Sequence, residues 1–172
     1  ERLGLDRLLS FDMGGTTAKA CLIEDRKPTV TGLFEVDRMY RFKAGSGIPV
    51  IIPAIDMIEI GAGGGSLASV DALGLLKVGP RSAGSEPGPA CYGRGGKNPA
   101  VTDADLVLGL LDADNFLGGD MQLDKAASEA AIRPLADRLG TSVQQMARGI
   151  FQVVNESMAA AARAHATDRG ID

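Results

Sequence analysis

The chain contains no tryptophan, one histidine and two cysteines among its 172 residues. A single histidine, His165, leaves little room for a histidine metal site or a Ser-His-Asp triad. Cys21 and Cys91 lie far apart and form no CxxC pair. Two isolated cysteines fit a reducing cytoplasm better than a disulfide scaffold, and we expect a cytoplasmic protein.

An excess of positive charge is also missing. The chain has 18 basic and 22 acidic residues, which gives a formal net charge of −4, and the basic residues form no cluster. Nucleic acid is therefore not expected as a partner. No apolar run approaches the roughly 20 residues of a membrane-spanning helix, and no signal-peptide or lipidation pattern is visible, so no membrane partner is expected either.

What the chain has in abundance is glycine, with 23 residues that occur in clusters. The first cluster follows a short apolar run and reads Asp12-Met13-Gly14-Gly15-Thr16-Thr17. Glycines allow backbone N–H groups to approach an anion, threonine hydroxyls can donate to phosphate oxygens, and Asp12 can hold a hydrated Mg²⁺. The alternative is a plain Gly-Gly turn between two strands. Both interpretations stay open on spacing alone.

The second cluster occupies residues 61–66 and includes Gly63, Gly64, Gly65 and Ser66. Its glycine spacing does not match the dinucleotide fingerprint, because the last glycine comes one position early and a strand follows it. The loop either lets backbone approach a ligand or forms an ordinary turn. Cys91, in a Pro- and Gly-rich stretch, is either a nucleophile or, as we favour, a buried small residue.

The order of elements predicts an α/β fold in which β-hairpins and a sheet precede C-terminal helices. Capping-box spacing at Thr102 and Asp105, and again at Thr141 and Gln144, predicts two helix starts. An apolar stripe at three- and four-residue steps predicts a long last helix. The predicted strands cover 8–12, 18–24, 30–37, 48–52, 55–60, 67–71 and 75–78. The predicted helices cover 106–111, 125–139, which is bent or restarted near Pro134, and 141–166. Two long loops are predicted, a mobile one over 38–47 and another over 79–98.

Four stretches of this sequence resemble the hydantoinase/oxoprolinase A family, which includes N-methylhydantoinase A, 5-oxoprolinase and the acetone carboxylase β subunit. These stretches are 11–19, 56–66, 78–96 and 101–119, and they extend over most of the chain. The stretch 78–96, VGPRSAGSEPGPACYGRGG, is the most specific of them.

The resemblance implies an actin-like, sugar-kinase-like ATPase architecture in which two lobes close on ATP. Residues 1–172 would form a single-domain fragment, the second lobe of a larger chain, with an upstream segment expected before Glu1. Gly14, Gly15, Thr16 and Thr17 would form the phosphate cradle. Asp12, the main catalytic candidate, would hold Mg²⁺ through water or lie beside the phosphate. Gly63, Gly64, Gly65 and Ser66, together with Asp103 as a weaker catalytic candidate, would line the cleft.

The implied activity is ATP-dependent ring opening of a cyclic amide of the hydantoin or 5-oxoproline type. The partners would be the remainder of the chain and a B-type subunit, and the isolated fragment would be inactive. Two alternatives remain open, an ATP-dependent ketone carboxylase subunit and a non-catalytic assembly module.

Overall fold

A computed structural model of the chain describes residues 4–37, 39 and 45–171. By their contacts these residues group into two compact units. The first unit contains residues 1–12 and 19–58, and the second contains 13–18 and 59–172. The single-domain fragment over 1–172 that the family resemblance implies stays a prediction beside this grouping.

The first unit is built from short strands. β1 (Arg7–Met13) and β2 (Ala18–Glu24) form the predicted opening hairpin, and β2 also pairs with β3 (Lys27–Pro28) and β8 (Met57–Ile60). The strand predicted over 30–37 is split, because residues 32 and 33 leave the extended conformation. Its halves pair with different partners in two small antiparallel sheets, β4 (Val30–Thr31) with β7 (Ala54–Ile55) and β5 (Phe34–Val36) with β6 (Ile48–Val50).

The strand break predicted at Pro53 is confirmed, since β6 ends before it and β7 begins after it. Most of the predicted mobile loop 38–47, namely residues 38 and 40–44, lies outside the described residues. At its described end, the amides of Gly45 and Gly47 donate hydrogen bonds to the carboxylate of Glu35, at 2.6 and 3.3 Å.

The second unit packs an antiparallel hairpin against helices. β9 (Ser66–Val70) pairs with β10 (Leu76–Ser82), as predicted, and an irregularity interrupts the register between Val78 and Ser82. The predicted loop 79–98 is shorter than expected at its start, because β10 extends to Ser82. A short 3-10 helix over Ala90–Tyr92 lies within the remainder of that loop.

Three α-helices follow, α1 (Val101–Val107), α2 (Lys125–Arg138) and α3 (Val143–Asp168). α1 packs against both other helices, and α3 also packs against β10. Most of the apolar stripe predicted for α3 is buried, and its first residue, Val143, is half-buried. The fully buried large side chains of this unit include Ile150 and Val154 from that stripe, and Ile60, Val101 and Ile132 from other elements.

The helix starts differ from the sequence prediction. α1 begins at Val101, so Thr102 lies inside the first turn, and the acid that bonds the preceding Ala100 amide is Asp103 and not Asp105. The α3 capping box uses Ser142 and Gln145, one residue later than predicted. α2 continues through Pro134 without restarting. Among the described residues no helix combines the length and hydropathy needed to cross a membrane.

Candidate functional site

The predicted phosphate turn lies at the start of the second unit. The Gly14 amide donates to the Thr17 carbonyl at 2.9 Å, which closes the turn, and Gly14, Gly15 and Thr16 are exposed. Within the part of the chain that the structure describes, the amides of Gly15 and Thr16 and the two threonine hydroxyls make no hydrogen bonds. The turn therefore presents donors that are free to bind an anion.

The glycine loop at 61–66 donates backbone hydrogen bonds to this turn. The Gly64 amide donates to the Gly14 carbonyl at 3.0 Å, and the Gly65 amide donates to the Gly15 carbonyl at 2.6 Å. The Gly63 amide donates to the Ser66 hydroxyl at 2.9 Å, and Ser66 is fully buried. These amides are thus engaged inside the protein. A direct nucleotide contact from Gly63, Gly64, Gly65 or Ser66 stays a prediction, and the geometry favours a supporting role for them.

Glycine is required in the loop because the two backbones come into direct contact. A Cβ on Gly63 would lie 2.6 Å from the Gly14 carbonyl oxygen. One on Gly65 would lie 2.9 Å from the Gly15 carbonyl oxygen. Real Cβ atoms do not approach so closely, so these contacts, and not unusual backbone angles, account for glycine here.

The first residues of α1 hold the glycine loop in place through hydrogen bonds. The Thr102 amide and hydroxyl both donate to the Gly64 carbonyl, at 2.8 and 2.9 Å. This joins α1 to the glycine loop and, through the loop, to the phosphate turn. Sequence reasoning missed this role for Thr102, because its spacing to Asp105 resembles a helix cap. The only signal was its position shortly after a glycine-rich stretch.

Asp103, the weaker catalytic candidate, is fully buried beside Thr102. Its Oδ2 accepts hydrogen bonds from the amides of Ala90 and Ala100, at 3.1 and 2.9 Å. Its Oδ1 accepts from the Cys91 amide and the Ser128 hydroxyl, both at 2.8 Å. A carboxylate with both oxygens so engaged has little capacity to take part in catalysis. A catalytic role for Asp103 stays a prediction, and the bonds indicate a structural one.

Cys91 lies in the same buried cluster. Its side chain is fully buried and packs with Leu106 and Leu123. Burial, and then the negative charge of Asp103, raise the pKa of the Cys91 thiol to about 12. The thiol is therefore neutral at pH 7 and a poor nucleophile. This agrees with Cys91 as a buried small residue in an ordered loop.

Asp12, the predicted metal ligand, is exposed and lies near the end of β1 in the first unit. No group of three or more His, Cys, Asp and Glu side chains able to hold a metal occurs among the described residues. Mg²⁺ differs from zinc in this respect, since it keeps several waters and needs only one or two carboxylates. Asp12 as a ligand of Mg²⁺ stays a prediction.

The sequence matches the family model described as hydantoinase/oxoprolinase over residues 1–172. The chain belongs to the hydantoinase/oxoprolinase family. Caprolactamase subunit alpha of Pseudomonas jessenii is 42% identical over 170 residues, covering 98% of this chain and 23% of that protein. The acetophenone carboxylase gamma subunit of Aromatoleum aromaticum is 40% identical over 177 residues, with 98% and 22% covered.

Two solved structures show the same fold as this hydantoinase/oxoprolinase chain. A nucleotide-free acetone carboxylase, from a study of ATP-dependent acetone carboxylation, matches with a TM-score of 0.83, 29% identity and 99% of this chain covered. The ATP-dependent caprolactamase of Pseudomonas jessenii matches with a TM-score of 0.77, 40% identity and 95% covered. In each case this chain accounts for 23% of the matched chain. It therefore spans about a quarter of its relatives' length.

Proposed function

We propose that this chain supplies the phosphate-binding turn of an ATP-dependent enzyme that opens cyclic amides. The observation that carries the proposal is the turn at 14–17, where exposed amide and hydroxyl donors stand on a backbone fixed by the glycine loop. A rigid set of unpaired donors costs little to reorganise when an anion binds. The matched acetone carboxylase and caprolactamase structures are of ATP-dependent systems, which supports ATP as the molecule whose phosphate groups the turn binds.

In phosphoryl transfer the turn and Asp12 would have different roles. Backbone amides of the turn and the hydroxyls of Thr16 and Thr17 would neutralise charge on the transferring phosphoryl group. Asp12 would hold the Mg²⁺ that accompanies ATP, through water or directly. When bound, that ion would supply positive charge that neutralises the phosphate groups. The γ-phosphoryl group would pass from ATP to the oxygen of the cyclic amide, which releases ADP. Water would then attack the ring carbon and the ring C–N bond would break, leaving an acyl phosphate that a second water hydrolyses to the carboxylate and phosphate.

The lobe of an actin-like ATPase is the architecture that we propose for this fold. The mixed α/β arrangement with sheets preceding C-terminal helices is compatible with it. The remainder of a longer chain would supply the opposing phosphate turn and the adenosine contacts. A partner subunit is proposed as well, since the matched caprolactamase and acetophenone carboxylase relatives are themselves subunits. Both cysteines are free, in keeping with the proposed cytoplasmic location.

Cyclic amides are the favoured substrates because the matched relatives include 5-oxoprolinases and a caprolactamase. A ketone carboxylase subunit is the second candidate, and a specific observation favours it. The acetophenone carboxylase relative, at 40% identity, is nearly as similar as the caprolactamase at 42%. The two reactions share phosphate activation and differ in the acceptor oxygen.

The test uses the full-length protein with its partner subunit. Thr16→Val removes a hydroxyl donor, and Asp12→Asn removes the metal-binding charge. A hydrogen bond to a charged group is worth about 1.5–3 kcal/mol, so we expect each variant to lower ATP turnover by about 10- to 100-fold. Thr167→Val, at an exposed position on α3, is the matched control and should leave turnover unchanged.

The outcomes separate the candidates. Unchanged turnover in both Asp12→Asn and Thr16→Val would overturn the assigned roles. Turnover that requires bicarbonate and a ketone, with no response to hydantoins, 5-oxoproline or lactams, would favour the carboxylase. Assembly with the partner subunit together with complete indifference to nucleotide would point to a non-catalytic module.

A further inference from the structure

A cavity of about 280 Å³ lies in the second unit, and residues 14–17 of the phosphate turn do not line it. It is bounded by β9, by the segment around Asn98 and by the C-terminal half of α2. A smaller cavity of about 210 Å³ adjoins it, since both are lined by Leu67, Lys97 and Asn98. Ligand pockets for drug-sized molecules begin at about 300 Å³, so this volume suits a small molecule.

The charge of the lining is opposite to that of the chain. Acidic residues outnumber basic ones in the sequence, 22 to 18. The larger cavity is nevertheless lined by Arg81, Lys97 and Arg138 and by no acidic residue, and the smaller cavity adds no acid. Within the described ranges, Arg81 and Lys97 form no ion pair. The cavity therefore concentrates positive charge that no carboxylate of the described chain neutralises.

One of these cations is fixed in place. The guanidinium of Arg138 donates from Nη1 to the Val70 carbonyl at 3.0 Å and from Nη2 to the Asp71 carbonyl at 2.8 Å. Holding the group at both nitrogens lowers the conformational entropy that it loses when an anion binds. Part of the apolar lining comes from Ala131, Pro134 and Leu135 on the same helix, and β9 and Pro99 supply the remainder.

We propose that this cavity binds a small organic anion with one oxyanion head, either carboxylate or phosphate, and a short apolar body. Arg81 and Lys97 would contact the head from one side and Arg138 from the other, while Ala131, Pro134 and Leu135 would accommodate the body. This site is separate from the phosphate turn, because residues 14–17 do not line it. It would bind its ligand whether or not the turn binds ATP.

The experiment uses the full-length protein with its partner subunit, saturated with a non-hydrolysable ATP analogue so that the nucleotide site is occupied. Calorimetric titrations with inorganic phosphate and with butyrate are the two arms, and they distinguish a phosphate head from a carboxylate head. We expect one of the two to bind. In the double variant Arg81→Gln/Lys97→Gln, its affinity should fall at least about tenfold.

The control removes the same charge elsewhere. Lys125→Gln/Arg148→Gln alters two cations on α2 and α3 that do not line the cavity, and it should keep the wild-type affinity for the anion. Both double variants should bind the ATP analogue as the wild type does, which separates this proposal from the nucleotide site. Equal anion affinity in the two double variants would overturn the proposal. Absence of any anion binding to the wild type would also overturn the proposal. An acidic segment of the longer chain that fills the cavity would give that result.

Discussion

At the scale of single residues, Asp103 joins more of the second unit than any other side chain discussed above. Its carboxylate connects the 3-10 helix at Ala90–Tyr92, the first turn of α1, and Ser128 on α2. Buried amides need such acceptors, since an unpaired one costs about 1–3 kcal/mol. The residue that the family resemblance made a weaker catalytic candidate therefore has an evident structural function.

Asp103→Asn tests this function. Asparagine has one acceptor oxygen where aspartate has two, so two of the four donors lose their partner or meet an N–H group. We expect the free energy of unfolding to fall by at least about 3 kcal/mol, measured by urea denaturation of the full-length protein. Asp112→Asn is the control, because exposed Asp112 accepts a hydrogen bond only from Asp114 among the described residues, and its effect should stay within about 0.5 kcal/mol. A stable Asp103→Asn protein without ATP turnover would instead support a catalytic role.

At the same scale, the sequence predicted the residue types at helix starts better than their positions. It predicted capping boxes at both α1 and α3, but Asp103 and Ser142 take the roles that spacing gave to neighbours. Adjacent candidates such as Thr141 and Ser142 differ little in intrinsic capping preference. Tertiary contacts decide between them, and the bond of Thr102 to the glycine loop is one such contact.

At the scale of elements, the glycine loop and the phosphate turn form one structure from two distant parts of the chain. Gly63→Ala should separate them, because the new Cβ would lie 2.6 Å from the Gly14 carbonyl oxygen, and backbone must move to relieve the overlap. We expect the affinity for ATP to fall at least about tenfold, with a loss of stability of about 1–3 kcal/mol. Fluorescent-nucleotide titration of the full-length protein would measure the affinity.

Gly32→Ala is the matched control for that substitution. Gly32 lies in the first unit, and among the described residues other than its two chain neighbours no atom lies within 4 Å of the position that its Cβ would take. Nucleotide affinity should therefore match the wild type. If Gly63→Ala also bound ATP normally, the glycine loop would have no part in shaping the turn.

Element types and their order could be read from the sequence with good accuracy. The opening hairpin, the β9–β10 hairpin and the long α3 follow directly from local periodicity and turn residues. The hydrogen bonds from Gly64 and Gly65 to residues 14 and 15 could not be predicted, since they join segments about fifty positions apart and have no periodic signature. The splitting of the strand at 30–37 likewise depends on which partner each half finds.

At the scale of the whole molecule, the first unit exposes much apolar surface. On β1, Leu8 is 36% exposed and Leu9 and Phe11 are 46% and 44% exposed, and neighbouring side chains of a strand point to opposite faces. Large exposed apolar side chains on a soluble protein favour association. We expect residues 1–172, produced alone, to self-associate with rising concentration. Light scattering after size-exclusion chromatography would show it, and a strict monomer at every concentration would contradict it.

The grouping of the chain also has a consequence for how it can be dissected. The polypeptide passes between the two units three times, after Asp12, after Ala18 and after Ile58. Any contiguous fragment that begins at residue 59 loses the hexapeptide 13–18. The Gly14 and Gly15 carbonyls of that hexapeptide accept hydrogen bonds from the amides of Gly64 and Gly65. One protease cleavage cannot release either unit intact, and gene truncation does not isolate the second unit with its turn at 14–17. Dissection requires a circular permutant or a linker that carries those six residues with the helices.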